Sequence, residues 1–340
     1  MDTILLLTHS GDFYTIDNVE AHLKNMGFAT LRLNTDLYPS ELHLDFYREN
    51  RNGIRKVITV NGNDIDTASI KGIWFRRLWS PKLPKDIDPQ YAAYCGKESV
   101  KHLNNFLSVL NHAFWLDGPE EVDRAHNKLL QMEEAEKAGI QMPETLVSNH
   151  PERIRQFFHQ VNGNMVMKMQ TVLSVSMNGS GPSFRTSKIQ PEDLESLQSA
   201  QLCPMIFQEE IPKVAEYRVV FVNGLFYCGK IIAESLSSNS PDIKSNSKVT
   251  WEIGQLPELL MKKITIMMKN LHLQFGVMDI LETPSGEFVF LEVNPVGEWG
   301  MLEKELNLPI SRAIAETLKR KIRNYEKDTH YNASERQPQH

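Results

Sequence analysis

Three oxygen-bearing side chains near the end of the chain, Asp279, Glu292 and Asn294, are its most chemically informative feature. They lie in Gly276-Val-Met-Asp279-Ile-Leu281, then a Pro284-Ser285-Gly286 turn, then Phe288-Val-Phe-Leu-Glu292-Val-Asn294-Pro-Val-Gly-Glu298. If the two apolar runs pair as neighbouring strands, the three groups converge, because a period of two puts Glu292 and Asn294 on one face. A few hard oxygen donors suit Mg²⁺, which keeps waters and takes phosphate oxygens as its other ligands. The alternative is a hairpin whose polar residues face solvent.

Cations stand elsewhere in informative places. Lys168 interrupts the apolar run Met165-Val-Met-Lys-Met169, and Lys128 lies on a helix-like stretch. An ammonium among apolar side chains is costly unless an anion pairs with it, and a triphosphate is such an anion. The other reading is a lysine that snorkels from an edge strand. Phe207-Gln208-Glu209-Glu210-Ile211-Pro212 closes one β-like run and leads to Glu216 and Arg218 in the next. A Pro-containing link leaves backbone groups outside any ladder, free to read a purine edge, although Gln-Glu-Glu alone is also a solvated charge run. Arg218 can hold a phosphate bidentately or pair with a neighbouring acid. No P-loop, dinucleotide, nucleophile-elbow or zincin motif occurs.

The elements that must position these residues alternate. Ile4 to Thr8 reads as a strand, with a loop at His9-Ser10-Gly11-Asp12 and a helix up to Gly27. Ala29–Leu33, Lys56–Val60 and Gly72–Phe75 are β-like, and Tyr91–Trp115 has helical spacing, which together predict an α/β layer domain. Asp117-Gly118-Pro119 marks a boundary. Beyond it, Asp123 is placed to cap a helix running through Lys128 to Gly139. β-like 144–147, a helix from Pro151, and β-like 164–169, 205–209, 216–222, 225–232, 276–281 and 288–293 follow, with a helix at 257–274. Residues 171–187, rich in Ser and Gly, predict a mobile loop, 235–250 a polar insertion, and 325–340 a polar, frayed tail. Alternation in Trp74-Phe75-Arg76-Arg77 turns Arg76 and Arg77 to opposite faces. One can then grip an acidic peptide from the cleft between domains, or both can simply end a strand in solvent.

Thirty-seven basic against 43 acidic residues give a net charge of −6, so no global positive field draws in nucleic acid or anionic lipid. Three cysteines without C-x-x-C spacing argue against a disulfide framework and a zinc ribbon. With no signal peptide and no run of ~18 apolar residues, the chain reads as cytoplasmic, binding neither nucleic acid nor membrane. His9, His126 and His272 are not spaced as ligands or bases and read as structural.

The ordered set Lys128, Lys168, Gln208-Glu209-Glu210-Ile211, Glu216, Arg218, Asp279 and Glu292-x-Asn294 resembles the ATP-grasp superfamily. Over roughly residues 1–322 the chain is similar to the microviridin-type graspetide synthetases, ligases that cross-link ribosomal precursor peptides. The likeness is carried by Trp74-Phe-Arg-Arg77, His126-Asn-Lys128, Leu202-Cys-Pro-Met205, Phe207–Pro212 and Phe290–Glu298. It implies an α/β (α+β) ATP-grasp fold: an N-terminal α/β pre-ATP-grasp domain at 1–117, a central lobe at 118–200 and a C-terminal, metal-holding lobe at 201–324. It also implies ATP and Mg²⁺ as cofactors, with Lys128 and Lys168 on the phosphates. Gln208, Glu209 and the backbone of Glu210 and Ile211 would lie at adenine, Glu216 at the ribose and Arg218 at the transferred phosphoryl group. Asp279, Glu292 and Asn294 would hold the metal; Arg76, Arg77 and Glu298 are candidates for substrate, and Lys230 has no counterpart. The expected reaction phosphorylates Asp or Glu side chains of a precursor with a leader and a Thr/Asp/Glu-rich core. The acyl phosphate is then displaced by Thr or Ser hydroxyls (ω-ester) or Lys amines (ω-amide), giving ADP and phosphate. The 171–187 loop would serve as a lid, and a homodimer is expected. Rival readings are another ATP-grasp carboxylate–amine ligase, acting on a small molecule or protein terminus, and a non-catalytic ATP sensor.

Overall fold

The computed structural model describes residues 2–50, 53–170, 186–232 and 250–335, with side chains as far as Tyr325. Most of the expected lid, 171–185, and of the polar insertion, 235–249, lies outside the described residues.

The chain begins with β1 (Thr3–Thr8), α1 (Thr15–Asn25) and β2 (Ala29–Asn34). β3 (Leu42–Glu49), β4 (Gly53–Val60) and β5 (Asn63–Asp66) precede β6 (Ile70–Phe75), α2 (Pro89–Ser108) and β7 (Phe114–Leu116). Strands β2-β1-β6-β7 form a parallel sheet, and β3-β4-β5 a separate antiparallel one. Ile4 to Leu7 are buried on both faces, as a covered parallel strand demands. In α1, Ile16, Val19 and Leu23 fall on one helical face and are buried.

Two expectations in this half are corrected. The helix read over 91–115 ends at Ser108, because Phe114–Leu116 pairs with β6 and sheet pairing overrides the helical spacing of its apolar residues. Asp123 caps nothing: Pro119 at the first helical position starts α3 (Pro119–Ala125) earlier. Asn127 then opens a second helix, α4 (Lys128–Lys137), its Oδ1 accepting from the N–H of Leu129 and Leu130. Gly139, at φ +68, takes the left-handed turn expected just past the helix end.

Next come β8 (Thr145–Ser148), α5 (Pro151–Gln160), β9 (Met165–Lys168), β10 (Ser187–Lys188), a 3₁₀ stretch at Pro191–Leu202 and β11 (Met205–Glu209). They make a four-stranded sheet in the order β10-β9-β11-β8. Met165, Met167 and Phe207 pack one of its faces against Ile154, Phe157 and Phe158 of α5. By alternation, Val166, Lys168 and Gln208 stand on the other face.

The last sheet, β14-β13-β12-β15-β16, is antiparallel. It consists of β12 (Ala215–Val222), β13 (Leu225–Ile232), β14 (Glu252–Ile253), β15 (Phe275–Glu282) and β16 (Phe288–Asn294). α6 (Glu258–Asn270) lies between β14 and β15, and α7 (Gly300–Leu306) and α8 (Ile310–Glu335) close the chain. On one face Val219, Phe221, Met278 and Val293 pack with Ile264, Met267 and Met268 of α6. On the other face Val220, Val222 and Val277 join a core that also contains Ile16 of α1, Trp74 of β6, and Ile314, Leu318 and Ile322 of α8.

α8 therefore bonds the end of the chain to its beginning, with Ile322 seated where Gly72 of β6 leaves no side chain. It also corrects the expectation of a frayed tail from residue 325: helix continues to Glu335, with Tyr325 donating to the carbonyl of Asn111 at 2.9 Å. Replacing Ile322 by Ala is predicted to cost about 2–5 kcal/mol through the cavity left over Gly72. Chemical denaturation of the variant measures it, and an unchanged midpoint would contradict this packing.

Candidate active site

The face of the last sheet that carries Val220, Val222 and Val277 changes character along its strands. In register order Arg218 stands opposite Asp279, and Asp279 opposite Glu292, so the three form one row across β12, β15 and β16. Glu216, two residues before Arg218, and Asn294, two after Glu292, share that face. One half of the face is thus packed core, and the other half is polar.

Two carboxylates directly opposed on neighbouring strands repel one another. Each has a cation. Lys128 Nζ lies 2.5 Å from Glu292 Oε2, and Arg218 Nη1 lies 2.9 Å from Asp279 Oδ1 and 3.3 Å from Oδ2. Burial pushes the Glu292 carboxyl up, but the ion pair and hydrogen bond from Lys128, with Lys168 and Arg218 behind them, hold it below the ordinary glutamate value. Lys168, on the four-stranded sheet, is thus near enough for its charge to act on the same carboxylate.

Lys128 is aimed by a residue that sequence reasoning missed. The buried amide of Gln131, one turn along α4, donates to the carbonyls of Ala125 (2.6 Å) and Val293 (2.8 Å) and accepts from the N–H of Val293 (3.0 Å). It mimics a strand neighbour and binds α4 to β16. A Gln in a helical run gives no signal for this; only the pairing of β16 reveals it.

The remaining candidates fall as follows. Gln208 is buried and donates to Thr145 Oγ1 at 3.1 Å. Glu209 ends β11, its N–H bonded to the carbonyl of Glu144 at 2.9 Å. The expectation that the whole connector leaves its backbone free is corrected in part: the N–H of Glu210 is donated to the carbonyl of Asn164 at 2.8 Å, and its carboxylate pairs with Lys188. Among the described residues nothing accepts from the N–H of Ile211. Glu216 is nearly buried and ion-paired with Lys213. Asn294 Oδ1 accepts from the N–H of Val296 at 3.1 Å, which leaves its second lone pair. Lys230 stands opposite Tyr217, on the other face from Arg218.

The arginine pair departs from the alternation read in the sequence. β6 ends at Phe75, so Arg76 and Arg77 both turn to the loop after β16 rather than to opposite faces. Arg76 is 1% exposed and donates to Val296 O (3.0 Å) and to Glu298 Oε2 (2.5 Å), which overturns the reading of Arg76 as an arginine that ends the strand in solvent. Arg77 remains partly exposed, 3.7 Å from Glu298 Oε2. Among the described residues no three His, Cys, Asp or Glu side chains cluster as metal ligands. The donor set here is two carboxylates with an amide oxygen, hard ligands of the kind Mg²⁺ accepts alongside phosphate. Nor is any described helix long and apolar enough to cross a membrane.

The model of the MvdD pre-ATP grasp domain matches residues 3–123. The crystal structure of the macrocyclase MdnB from Microcystis aeruginosa MRC is 42% identical, with a TM-score of 0.80, covering 94% of this chain and 99% of that one. The macrocyclase MdnC from the same organism, bound with the precursor peptide MdnA, is 32% identical, with a TM-score of 0.83 and the same coverage. The chain belongs to the ATP-grasp graspetide synthetases. A further member, the Chryseobacterium gregarium RiPP-associated ATP-grasp ligase in complex with ADP and a leader and core peptide, is 26% identical, with a TM-score of 0.87 and coverage of 94% and 97%. No curated protein matches the chain. As a graspetide synthetase the protein is an ATP-dependent ligase of ribosomal-peptide maturation, with the ATP-grasp fold behind an N-terminal pre-ATP-grasp domain.

The Lys128–Glu292 pair can be tested by pH. Glu292 titrates below its unfolded value, so its stabilising contribution is complete above the ordinary glutamate range, near 4.3, and is lost as pH falls through the folded value. Lys128→Met is predicted to cost on the order of 1 kcal/mol near neutral pH, between exposed and buried pairs. The gap in Tm to wild type should close as the solution is taken below about pH 4. A gap that stays constant from neutral to acid would contradict the pairing.

Proposed function

We propose that the polar half-face is where this synthetase uses ATP to activate side-chain carboxylates of a ribosomal precursor peptide and close them into rings. The observation that carries the reading is the opposed pair Asp279 and Glu292, each neutralised by a cation, with the charge of Lys168 also acting on Glu292. A strand pair has no structural need for facing carboxylates, whereas a site for a divalent cation and a polyphosphate needs both signs of charge within a few ångströms. Support for the substrate comes from MdnC, bound with a precursor peptide, and from the Chryseobacterium gregarium ligase, in complex with ADP and a leader and core peptide.

The proposed roles are those that the family resemblance implies for these positions. Asp279, Glu292 and Asn294 would hold Mg²⁺, which would neutralise charge on the phosphate oxygens. Lys128 would exchange Glu292 for a phosphate of ATP, and Lys168 would supply a second cation to the phosphates. The N–H of Ile211 and the carbonyl of Glu210 read the adenine edge beside Gln208 and Glu209, and Glu216 holds the ribose. Arg218, fixed by two acceptors, keeps the guanidinium beside the phosphoryl group in flight, where preorganised charge lowers the barrier without reorganisation. An Asp or Glu carboxylate of the core attacks the γ-phosphorus and ADP leaves. The acyl phosphate then loses phosphate to a Thr or Ser hydroxyl, closing an ω-ester, or to a Lys amine, closing an ω-amide. Water would hydrolyse the acyl phosphate, so the site must exclude it.

Mass spectrometry of a co-expressed precursor tests the reading, since each ring closure removes one water; mild alkali then opens esters and leaves amides. Glu292→Ala and Asn294→Ala are predicted to abolish dehydration and precursor-dependent ADP release. Full activity in either variant, or an unmodified precursor with the wild-type enzyme, would overturn it.

A further inference from the structure

We propose that Arg76, in the N-terminal layer, is a positioning residue for phosphoryl transfer that acts through Glu298 on Arg218. The inference rests on the assignment of Arg218 to the nucleotide site.

The path is continuous. Arg76 Nη2 binds Glu298 Oε2 at 2.5 Å, and Nη1 reaches the carbonyls of Val296 (3.0 Å) and Gly297 (3.4 Å), so one guanidinium holds three consecutive residues of the loop after β16. The second oxygen of Glu298, Oε1, accepts from the N–H of Trp299 (3.2 Å) and Gly300 (3.1 Å) as α7 begins. The carboxylate is held from both sides, and this fixes the orientation of its own main chain. That main-chain carbonyl accepts from Arg218 Nε (3.3 Å) and Nη2 (3.0 Å), while Arg218 Nη1 holds Asp279. The plane of Arg218 is therefore set by one carbonyl and one carboxylate, and Arg76 governs where the carbonyl stands.

Packing alone does not call for an arginine at this position. Arg76 is 1% exposed, and burying a guanidinium costs more than burying an apolar side chain of the same volume. Its Nε lies 3.7 Å from Asp12 Oδ2, in the loop after β1, where Thr8 Oγ1 also binds that oxygen at 2.6 Å. Arg76 thus ties the end of the parallel sheet to the loop that supports Arg218. Lysine cannot substitute, because a point charge on a flexible stem does not hold three acceptors in a plane. Arg77 reaches the same loop more weakly, at 3.4 Å from Val296 O and 3.7 Å from Glu298 Oε2.

The test uses the full-length enzyme with its precursor peptide and compares Arg76→Lys, Glu298→Gln, Arg218→Lys and the Arg76→Lys/Arg218→Lys double variant. Thermal melts and precursor-dependent ADP release are measured for each. Small displacements of a positioned group cost up to about 100-fold in rate, so Arg76→Lys is predicted to lower kcat about 10- to 100-fold with KM for ATP changed less than about threefold. Its effect should largely disappear in the Arg218→Lys background, because neighbours on one path are not additive. Glu298→Gln, on a partly exposed side chain, should repeat the kcat loss in a folded protein even if Arg76→Lys folds poorly. A lowered Tm with kcat intact in both variants, or an equal fall in kcat with and without Arg218, would overturn the inference and leave the active-site reading standing. Unchanged kcat in Arg218→Lys would instead overturn the reading on which it rests.

Discussion

The repulsion between Asp279 and Glu292, set face to face across β15 and β16, is the constraint around which the rest of the active site is arranged. The pair persists because cations come to it from three different elements: Arg218 from β12, Lys128 from the first position of α4 and Lys168 from the opposing sheet. None of the three is placed by its own chemistry. α4 is held by Gln131 against the edge of β16, Arg218 by the carbonyl of Glu298, and Lys168 by strand pairing with β11. A site built this way is poised to trade partners. In the proposed reading, a polyphosphate arriving with a divalent cation would draw the lysines to phosphate while the carboxylates took the metal, so that no buried charge would be left alone.

The same sheet face supplies both rigidity and chemistry. Val220, Val222 and Val277 are sealed under α8 with Trp74 and Ile16, and one step along the strands Arg218 and Asp279 emerge. The hydrophobic half fixes the register that the polar half needs, since a one-residue slip would carry each of these polar side chains to the α6 side. Because α8 also packs on β6, the core that stabilises the site includes the beginning of the chain. The N-terminal layer is therefore joined to the site twice, through apolar packing and through Arg76.

Much of this was legible in the sequence, for identifiable reasons. Runs such as Met205–Glu209 and Leu225–Ile232 match their strands because each is apolar and bounded by breakers. The convergence of Asp279, Glu292 and Asn294 followed from a hairpin with a clear turn. What escaped depends on partners distant in sequence. Two of the three strands of the β3-β4-β5 sheet were missed because they are charged and largely exposed; the Asn61-Gly62 pair, both at positive φ, was the available signal for its second hairpin. The roles of Gln131, Glu298 and Asp117 are likewise invisible one-dimensionally. Asp117, whose carboxylate accepts from the N–H of Gln274 and Phe275 and is pushed by burial up to about 7, reads only as a loop residue. Alternation failed at Arg76 and Arg77 because the strand stops one residue too soon for it to apply.

The central claim is that metal and phosphate meet between Asp279 and Glu292. Crystals grown with Mn²⁺ and a non-hydrolysable ATP analogue would show it through the anomalous signal of the metal. The account predicts a peak about 2.0–2.3 Å from carboxylate oxygens of both residues, with Lys128 Nζ moved from Glu292 to a phosphate oxygen. A metal bound elsewhere, with the Lys128–Glu292 and Arg218–Asp279 pairs still closed, would contradict it.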